Sequence, residues 1–158
     1  MSISLNQLKN YWKALALSHQ QVKSFSWGAQ LVLSSAIENS FPLVHVIPGT
    51  ATVTSRTRVQ SFTVLAIDSP HPDDWEMLDE IWSDTQQILL DFKRYFENAD
   101  EFYISGNTSL SPVLEDNRDR YSGWQMQISL EMIEAEGTCD LPINFTNPFC
   151  QWHFKTFR

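Results

Sequence analysis

Hydrophobic and polar residues alternate with a period of two in the stretch GWQMQISLEM, residues 123–132. The even positions from Trp124 to Met132 are apolar, whereas the odd positions from Gln125 to Glu131 are polar. This alternation predicts a strand with one face on a core and one face in water. Burying its five large side chains gains roughly 10 kcal/mol, which is no more than the cost of ordering its backbone. We therefore expect partner strands and a covering helix elsewhere in the chain.

Two other segments show the spacing of three and four residues that is typical of amphipathic helices. In the first, residues 4–19, Ser4 and Gln7 form the pattern of a capping box. Its predicted buried face carries Leu5, Leu8, Trp12 and Leu15. The second segment, residues 72–98, carries a longer apolar stripe made of Leu78, Ile81, Trp82, Thr85, Ile88, Leu89, Phe92 and Phe96. We expect this longer helix to cover the apolar face of the strand at 123–132.

Residues 41–68 predict a long β-hairpin. FPLVHVIPG, residues 41–49, is an apolar run bounded by proline, and the Thr- and Val-rich residues 50–68 follow it. We expect the two strands to join at Pro48 and Gly49, and the polar residues 50–60 to project from the body. Before the hairpin, residues 25–28 predict a short strand or a turn. After the long helix, a short strand at 101–105 and a polar connection at 106–122 are expected.

This order of elements predicts an α+β fold, with a mostly antiparallel sheet packed against one long and one shorter helix. Residues 1–134 are expected to form one domain, because the periodic patterns end there. Residues 135–158 form an aperiodic but aromatic arm, which includes Phe149, Trp152, Phe154 and Phe157. Aromatic surface of this kind has to be covered, either on the arm's own domain or on a neighbouring molecule. Both alternatives stay open, and so does the state of Cys139 and Cys150, which are either free thiols or a disulfide.

The net charge of the chain and the distribution of its charged residues narrow the classes of function that fit this sequence. The 158-residue chain has a net charge of −8 and no basic stripe of the kind that grips duplex DNA. Arg56 and Arg58 lie in the predicted hairpin, where they serve either as contacts to an acidic partner or as ordinary exposed charges. Neither a signal peptide nor a membrane-spanning stretch is visible, so we expect a protein that is neither secreted nor bound to a membrane.

One short motif carries a possible chemistry. The segment VLAIDSPHPDDWEML, residues 64–78, resembles the metal-binding signature of the zinc-dependent N-acetylglucosaminyl deacetylases. That resemblance implies His71 and Asp74 as zinc ligands and Asp73 as the base that activates water. A structural interpretation explains the same residues, because Pro72 suits a first helical turn and acids suit a helix N-terminus. We favour the structural interpretation, and therefore expect no enzyme activity, no metal and no cofactor.

The order of elements also resembles the tail-terminator and neck-ring proteins of tailed bacteriophages, most closely those of crAss-like phages. The resemblance covers residues 5–134, and it is clearest in FPLVHVIPG, LDEIWSDTQQILLDF and YSGWQMQISLEM. It implies a virion protein, assembled in the host cytoplasm, that forms a sixfold or twelvefold ring at the head–tail junction or the tail end. The implied partners are neighbouring neck, portal or tail-tube proteins, and DNA would pass through the ring without specific binding.

Three hypotheses therefore come from the sequence. The first is the ring-forming virion protein, in which Arg56, Arg58 and the four aromatic residues of the arm are the expected assembly contacts. The second is a cellular adaptor or small binding domain of the same fold. The third is the zinc-dependent deacetylase that would use residues 71–74.

Overall fold

Two helices lie on one face of a six-stranded sheet. The structure is a computed structural model, and it describes residues 3–29, 40–69, 76–113 and 121–134. Its elements follow in the order α1 (Leu5–Ser18), β1 (Ser24–Trp27), β2 (Leu43–Val53), β3 (Thr57–Asp68), α2 (Glu76–Glu97), β4 (Tyr103–Ile104), β5 (Ser109–Val113) and β6 (Ser122–Ile133). The sheet is mixed but mostly antiparallel, so the α+β class predicted from the sequence is confirmed.

The strands run in the order β1-β2-β3-β6-β4 across the sheet, and β5 also pairs with β6. Only the β1–β2 pair among these strands is parallel. β4 and β5 follow the same edge of β6, because β4 pairs with Leu130 and Glu131 and β5 pairs with residues 123–127. Between them, Gly106 has a φ of 72°, a left-handed conformation that suits glycine. β4 and β5 are thus two parts of one bent edge strand.

The core lies between the helices and one face of the sheet. Trp12 of α1 is at its centre, with ring centroids 5.6 Å from Phe62, 6.2 Å from Phe92 and 4.7 Å from Phe96. The apolar face of β6 packs into the same core through Met126, Ile128, Leu130 and Met132, each at most 1% exposed. The alternation at 123–132 therefore predicted the buried face of this strand correctly.

Strand β6 approaches β3 very closely at Gly123. A Cβ atom at this position would lie 2.0 Å from the carbonyl oxygen of Ala66 and 2.9 Å from the Cα of Ile67. Such distances are far inside van der Waals contact, so only glycine fits here. Gly123 therefore allows β6 to pair with β3 as far as Asp68.

The helices agree with most of the sequence predictions. The capping box at the start of α1 is present, because the Ser4 hydroxyl accepts a bond from the Gln7 N–H and the Gln7 side chain accepts one from the Ser4 N–H. The prediction for Leu5 was wrong, since this side chain is 46% exposed and Ala16 completes the buried face instead. In α2, the predicted stripe is buried at Ile81, Thr85, Ile88, Leu89, Phe92 and Phe96.

Two predictions about the strands were wrong. The hairpin does not turn at Pro48 and Gly49, where β2 contains only a shift of register, but at residues 54–56. Residues 57–60 do not project from the body, because β3 pairs with β6 from Thr57 onwards. In addition, the connection at 106–122 contains β5, whose Pro112 is compatible with an edge strand but weakens its strand signal in the sequence.

Candidate functional site

The tip of the hairpin places the two predicted arginines in different environments. Arg56 lies in the exposed turn, and its carbonyl oxygen accepts a bond of 2.8 Å from the Glu134 N–H. Arg58 is largely covered by its own chain: it donates to the carbonyl oxygen of Ile3 and forms an ion pair of 3.1 Å with the carboxylate of Glu134. The guanidinium of Arg58 therefore links the residue after β6 and the residues before α1 to the hairpin.

Large apolar side chains remain exposed at this same end of the sheet. Val53 is 66% exposed at the end of β2, and Ile133 is 67% exposed at the end of β6. Tyr103 of β4 is 59% exposed and lies opposite Glu131, on the face of the sheet to which Ile133 also belongs. In β6 the even positions are apolar and the odd positions are polar, but Ile133 is apolar at an odd position. This break in the alternation was the sequence signal that could have identified Ile133 as exposed.

Tyr103 and Ile133 border a groove of about 360 Å³ between the N-terminal half of α1 and the β4–β6 edge. Its other lining residues include Ile3 and Tyr11. We call this depression, with its continuation past Tyr11 towards the C-terminal end of α2, the α1–β4 groove. Asp100 and Glu101 line both parts of the groove. The groove therefore has an acidic rim.

The hydroxyl of Tyr11 donates a hydrogen bond to the Glu101 carboxylate at the middle of the groove. This bond, together with burial and the negative charge of Glu101, raises the pKa of Tyr11 above its ordinary value. The Tyr11 ring also packs edge-on against Phe102, with centroids 5.2 Å apart. The groove wall is consequently held by contacts between α1 and the loop that precedes β4.

A buried histidine lies elsewhere in the sheet. The hydroxyl of Ser26 is 2.5 Å from Nδ1 of His45, and His45 is only 2% exposed. Burial lowers the pKa of His45, and a weaker effect of the Gly28 carbonyl acts in the opposite direction. A serine and a histidine in contact are two parts of a nucleophilic site, but His45 has almost no accessible surface for a substrate. We therefore assign this pair a structural role, in which it links β1 to β2.

The carboxylate of Asp68, at the end of β3, also has a shifted pKa. Burial raises the pKa of Asp68, the nearby Asp84 raises it further, and the backbone N–H of Ser69 acts in the opposite direction. Close by, the Trp82 indole donates a 2.6 Å bond to the hydroxyl of Ser122. Two acids and a tryptophan thus lie close together where β3 ends and β6 begins.

Several predicted residues lie outside the described part of the chain. These are the possible zinc residues His71, Asp73 and Asp74, the cysteines Cys139 and Cys150, and the aromatic residues Phe149, Trp152, Phe154 and Phe157. Among the residues that the structure does describe, no group of three or more His, Cys, Asp or Glu side chains is arranged to hold a metal ion. Within the same ranges, neither helix combines the length and the hydropathy that crossing a membrane requires.

A comparison of the chain with protein-family models gives no match, and a comparison with curated proteins gives none either.

Proposed function

We propose that this protein is a structural subunit of a tailed bacteriophage virion that forms a ring at the head–tail junction or the tail end. The ring leaves a channel for DNA, and its expected neighbours are neck, portal or tail-tube proteins. The observation that carries the proposal is the pair of exposed apolar side chains Tyr103 and Ile133, which lie on the same face of the sheet, away from the helices. Apolar side chains that cluster at the surface mark a site of contact with another molecule.

The geometry of the sheet supports contact through side chains rather than through added strands. The outer edge beside β6 is bent at Gly106 and carries Pro112, which has no N–H to donate. Bends and prolines protect an edge strand from pairing with another chain. A neighbouring subunit is therefore expected to contact the hairpin tip and the exposed side chains of Tyr103 and Ile133.

The net charge of the chain supports the proposal that DNA passes through the ring. A net charge of −8 repels the phosphates of DNA, so a duplex can move past the subunit without being held. The resemblance to tail-terminator and neck-ring proteins, which covers residues 5–134, supports the position in the virion.

Light scattering coupled to size-exclusion chromatography, followed by negative-stain microscopy, tests the proposal on the full chain. We expect particles of six or twelve copies of the 18.3 kDa chain with a central hole. Val53→Asp should shift the full chain towards smaller species, whereas Leu17→Asp, which changes a residue 48% exposed at the other end of α1, should not. A monomer at every concentration, both alone and mixed with the portal and tail-tube proteins of the same phage, would contradict the proposal.

A further inference from the structure

The face of the sheet opposite the helices carries a small apolar patch. The even positions of β6 face the helix-covered core, so Glu131 and Ile133 lie on the opposite face. Strand pairing places Tyr103 on one side of Glu131 and the half-buried Val59 on the other, and directly paired residues share a face. Tyr103 is 59% exposed and Ile133 is 67% exposed. We call Val59, Tyr103 and Ile133, together with Glu131 between them, the outer patch.

The carboxylate of Glu131 has no cationic partner in the described part of the chain. Its two cross-strand neighbours, Val59 and Tyr103, carry no positive charge. The ion pairs among the described residues all involve other carboxylates. Complementary surfaces place opposite charges against each other. A molecule that covers the outer patch is therefore expected to bring an apolar side chain for Tyr103 and Ile133 and a cation for Glu131.

The symmetry of the proposed assembly narrows the choice of surface. In a cyclic ring of more than two copies the contacts are heterologous, so one surface of a copy touches a different surface of the next. Packing of one outer patch on another would also bring two Glu131 carboxylates into one contact without a cation, which is unfavourable. The outer patch should therefore meet a different surface of the neighbouring copy.

The N-terminal part of the chain offers a surface with the required chemistry. Residues 3–29 contain Lys9, Lys13 and Lys23 but no Asp or Glu, although the chain as a whole has 19 of these acids. Leu5 is 46% exposed, and Lys9 follows it by one turn on the same side of α1. Lys9 and Lys13 are exposed, and neither belongs to an ion pair among the described residues. We call Leu5, Lys9 and Lys13 the α1 surface.

The surroundings of other exposed apolar side chains favour the same choice. Met77 and Tyr95 lie on α2, which carries more acids than bases and would repel Glu131. Val53, at the hairpin tip, lies near the start of α1, because its cross-strand partner Arg58 donates to the carbonyl oxygen just before that helix. Val53 therefore extends the α1 surface towards the tip.

We propose that the outer patch of one copy docks on the α1 surface of the next copy, with the Lys9 ammonium facing the Glu131 carboxylate. Leu5 packs on the apolar side chains of the patch. Because α1 lies on the helix-covered face of the sheet and the outer patch on the opposite face, one chain cannot join its own two surfaces. The inference rests on the proposed function, which requires that copies assemble, and it names the two surfaces that link them.

Reversal of each charge in the full chain tests the contact from both sides. Glu131→Lys alone places two cations in the contact, and Lys9→Glu alone places two carboxylates there. We expect either variant to raise the concentration at which half of the chains are assembled by about tenfold or more, because like charges across an interface are destabilising. Neither position is buried, so the fold should be retained, and circular dichroism checks this. Light scattering measures the assembly.

An equimolar mixture of the two single variants shows whether the contact joins different copies. If the variants alternate around a ring, every contact pairs a lysine with a glutamate, and rings of six or twelve copies permit this alternation. We expect the mixture to assemble near the concentration of the natural chain, although neither variant does so alone. A mixture that stays unassembled, while the double variant with both reversals assembles, would place the contact within one chain and refute the inference.

A matched control separates the contact from the net charge. The double variants Glu131→Lys with Lys9→Glu and Glu131→Lys with Lys23→Glu both keep the net charge of −8. Lys23 is exposed but lies between α1 and β1, outside the α1 surface. We expect the first double variant to recover assembly and the second to remain defective. Equal recovery by the two would assign the effect to net charge and contradict the docking.

Failure of this inference and failure of the proposed function give different results. Rings that form equally well with Glu131→Lys, with Lys9→Glu and with the natural chain would refute this pair of surfaces and leave the proposed function intact. A natural chain that stays monomeric, both alone and mixed with the portal and tail-tube proteins of the same phage, would refute the proposed function itself.

Discussion

The two ends of the β2–β3 hairpin have the same secondary structure but opposite surroundings. At the base, Leu43, Val44 and Val46 have no exposed surface, whereas residues 50–56 at the tip are all exposed. The helices cover β2 only at its base, where Val44 and Val46 join the core. At the tip, β3 still pairs with β6, so the strand is held by its hydrogen bonds rather than by a covering layer. The base therefore contributes stability, and the tip offers a surface for contacts.

The largest effect is expected from a charge placed in the helix-covered layer. Leu130→Asp puts a carboxylate at a side chain with no exposed surface, and it should lower the free energy of unfolding by about 4 kcal/mol or more. Such a loss is comparable to the whole stability of a domain. Gln127→Lys, at an exposed position of the same strand, should change it by less than about 0.5 kcal/mol. Chemical denaturation measures both, and equal stabilities would mean that the buried face of β6 is assigned wrongly.

A smaller effect is expected where two strands approach each other at the base. Gly123→Ala places a Cβ 2.0 Å from the Ala66 carbonyl oxygen, so β3 and β6 have to separate, at a cost of about 2 to 3 kcal/mol. Gly106→Ala is the control, because nothing lies within 4 Å of its Cβ and only its φ of 72° is unfavourable. That variant should lose about 1 kcal/mol. A Gly123→Ala variant as stable as the natural chain would contradict the close approach.

The buried histidine at the base should make stability depend on pH. Burial lowers the pKa of His45 from its ordinary value of 6.5, so the unfolded chain binds a proton that the folded chain resists. The contribution is therefore complete above pH 6.5 and is lost as the pH falls from there towards the lowered pKa. Thermal melting at a series of pH values should show this decrease in the natural chain, and His45→Gln should remove the part due to His45. Parallel curves for the two proteins would contradict the assignment.

The smallest effect on stability is expected at the hairpin tip. Val53→Ser removes apolar surface from a side chain that is 66% exposed, so the free energy of unfolding should change by less than about 0.5 kcal/mol. Chemical denaturation of the separated monomer provides the test. A loss above about 1 kcal/mol would mean that the tip contributes to stability in the same way as the base.

The sequence alone determined those features of the structure that depend on residues close together along the chain. The period of two at 123–132, the apolar stripe of α2 and the capping box of α1 each record which local face is buried, so they predicted the α+β class and most of the core. The exposed Ile133 was also visible as a break in that period, although its meaning was not.

Only the tertiary structure decided which strands pair, and where. The turn moved from Pro48 and Gly49 to residues 54–56 because pairing with β6 extends β3 to Thr57, and β6 is distant in sequence. For the same reason, β5 formed in a segment without a strand pattern, and Arg58 was drawn into contact with Glu134. The α1–β4 groove likewise lies between α1 and residues about 90 positions later in the chain. Periodicity reports the burial of a residue, whereas its partners depend on the register of the sheet and the packing of the helices on it.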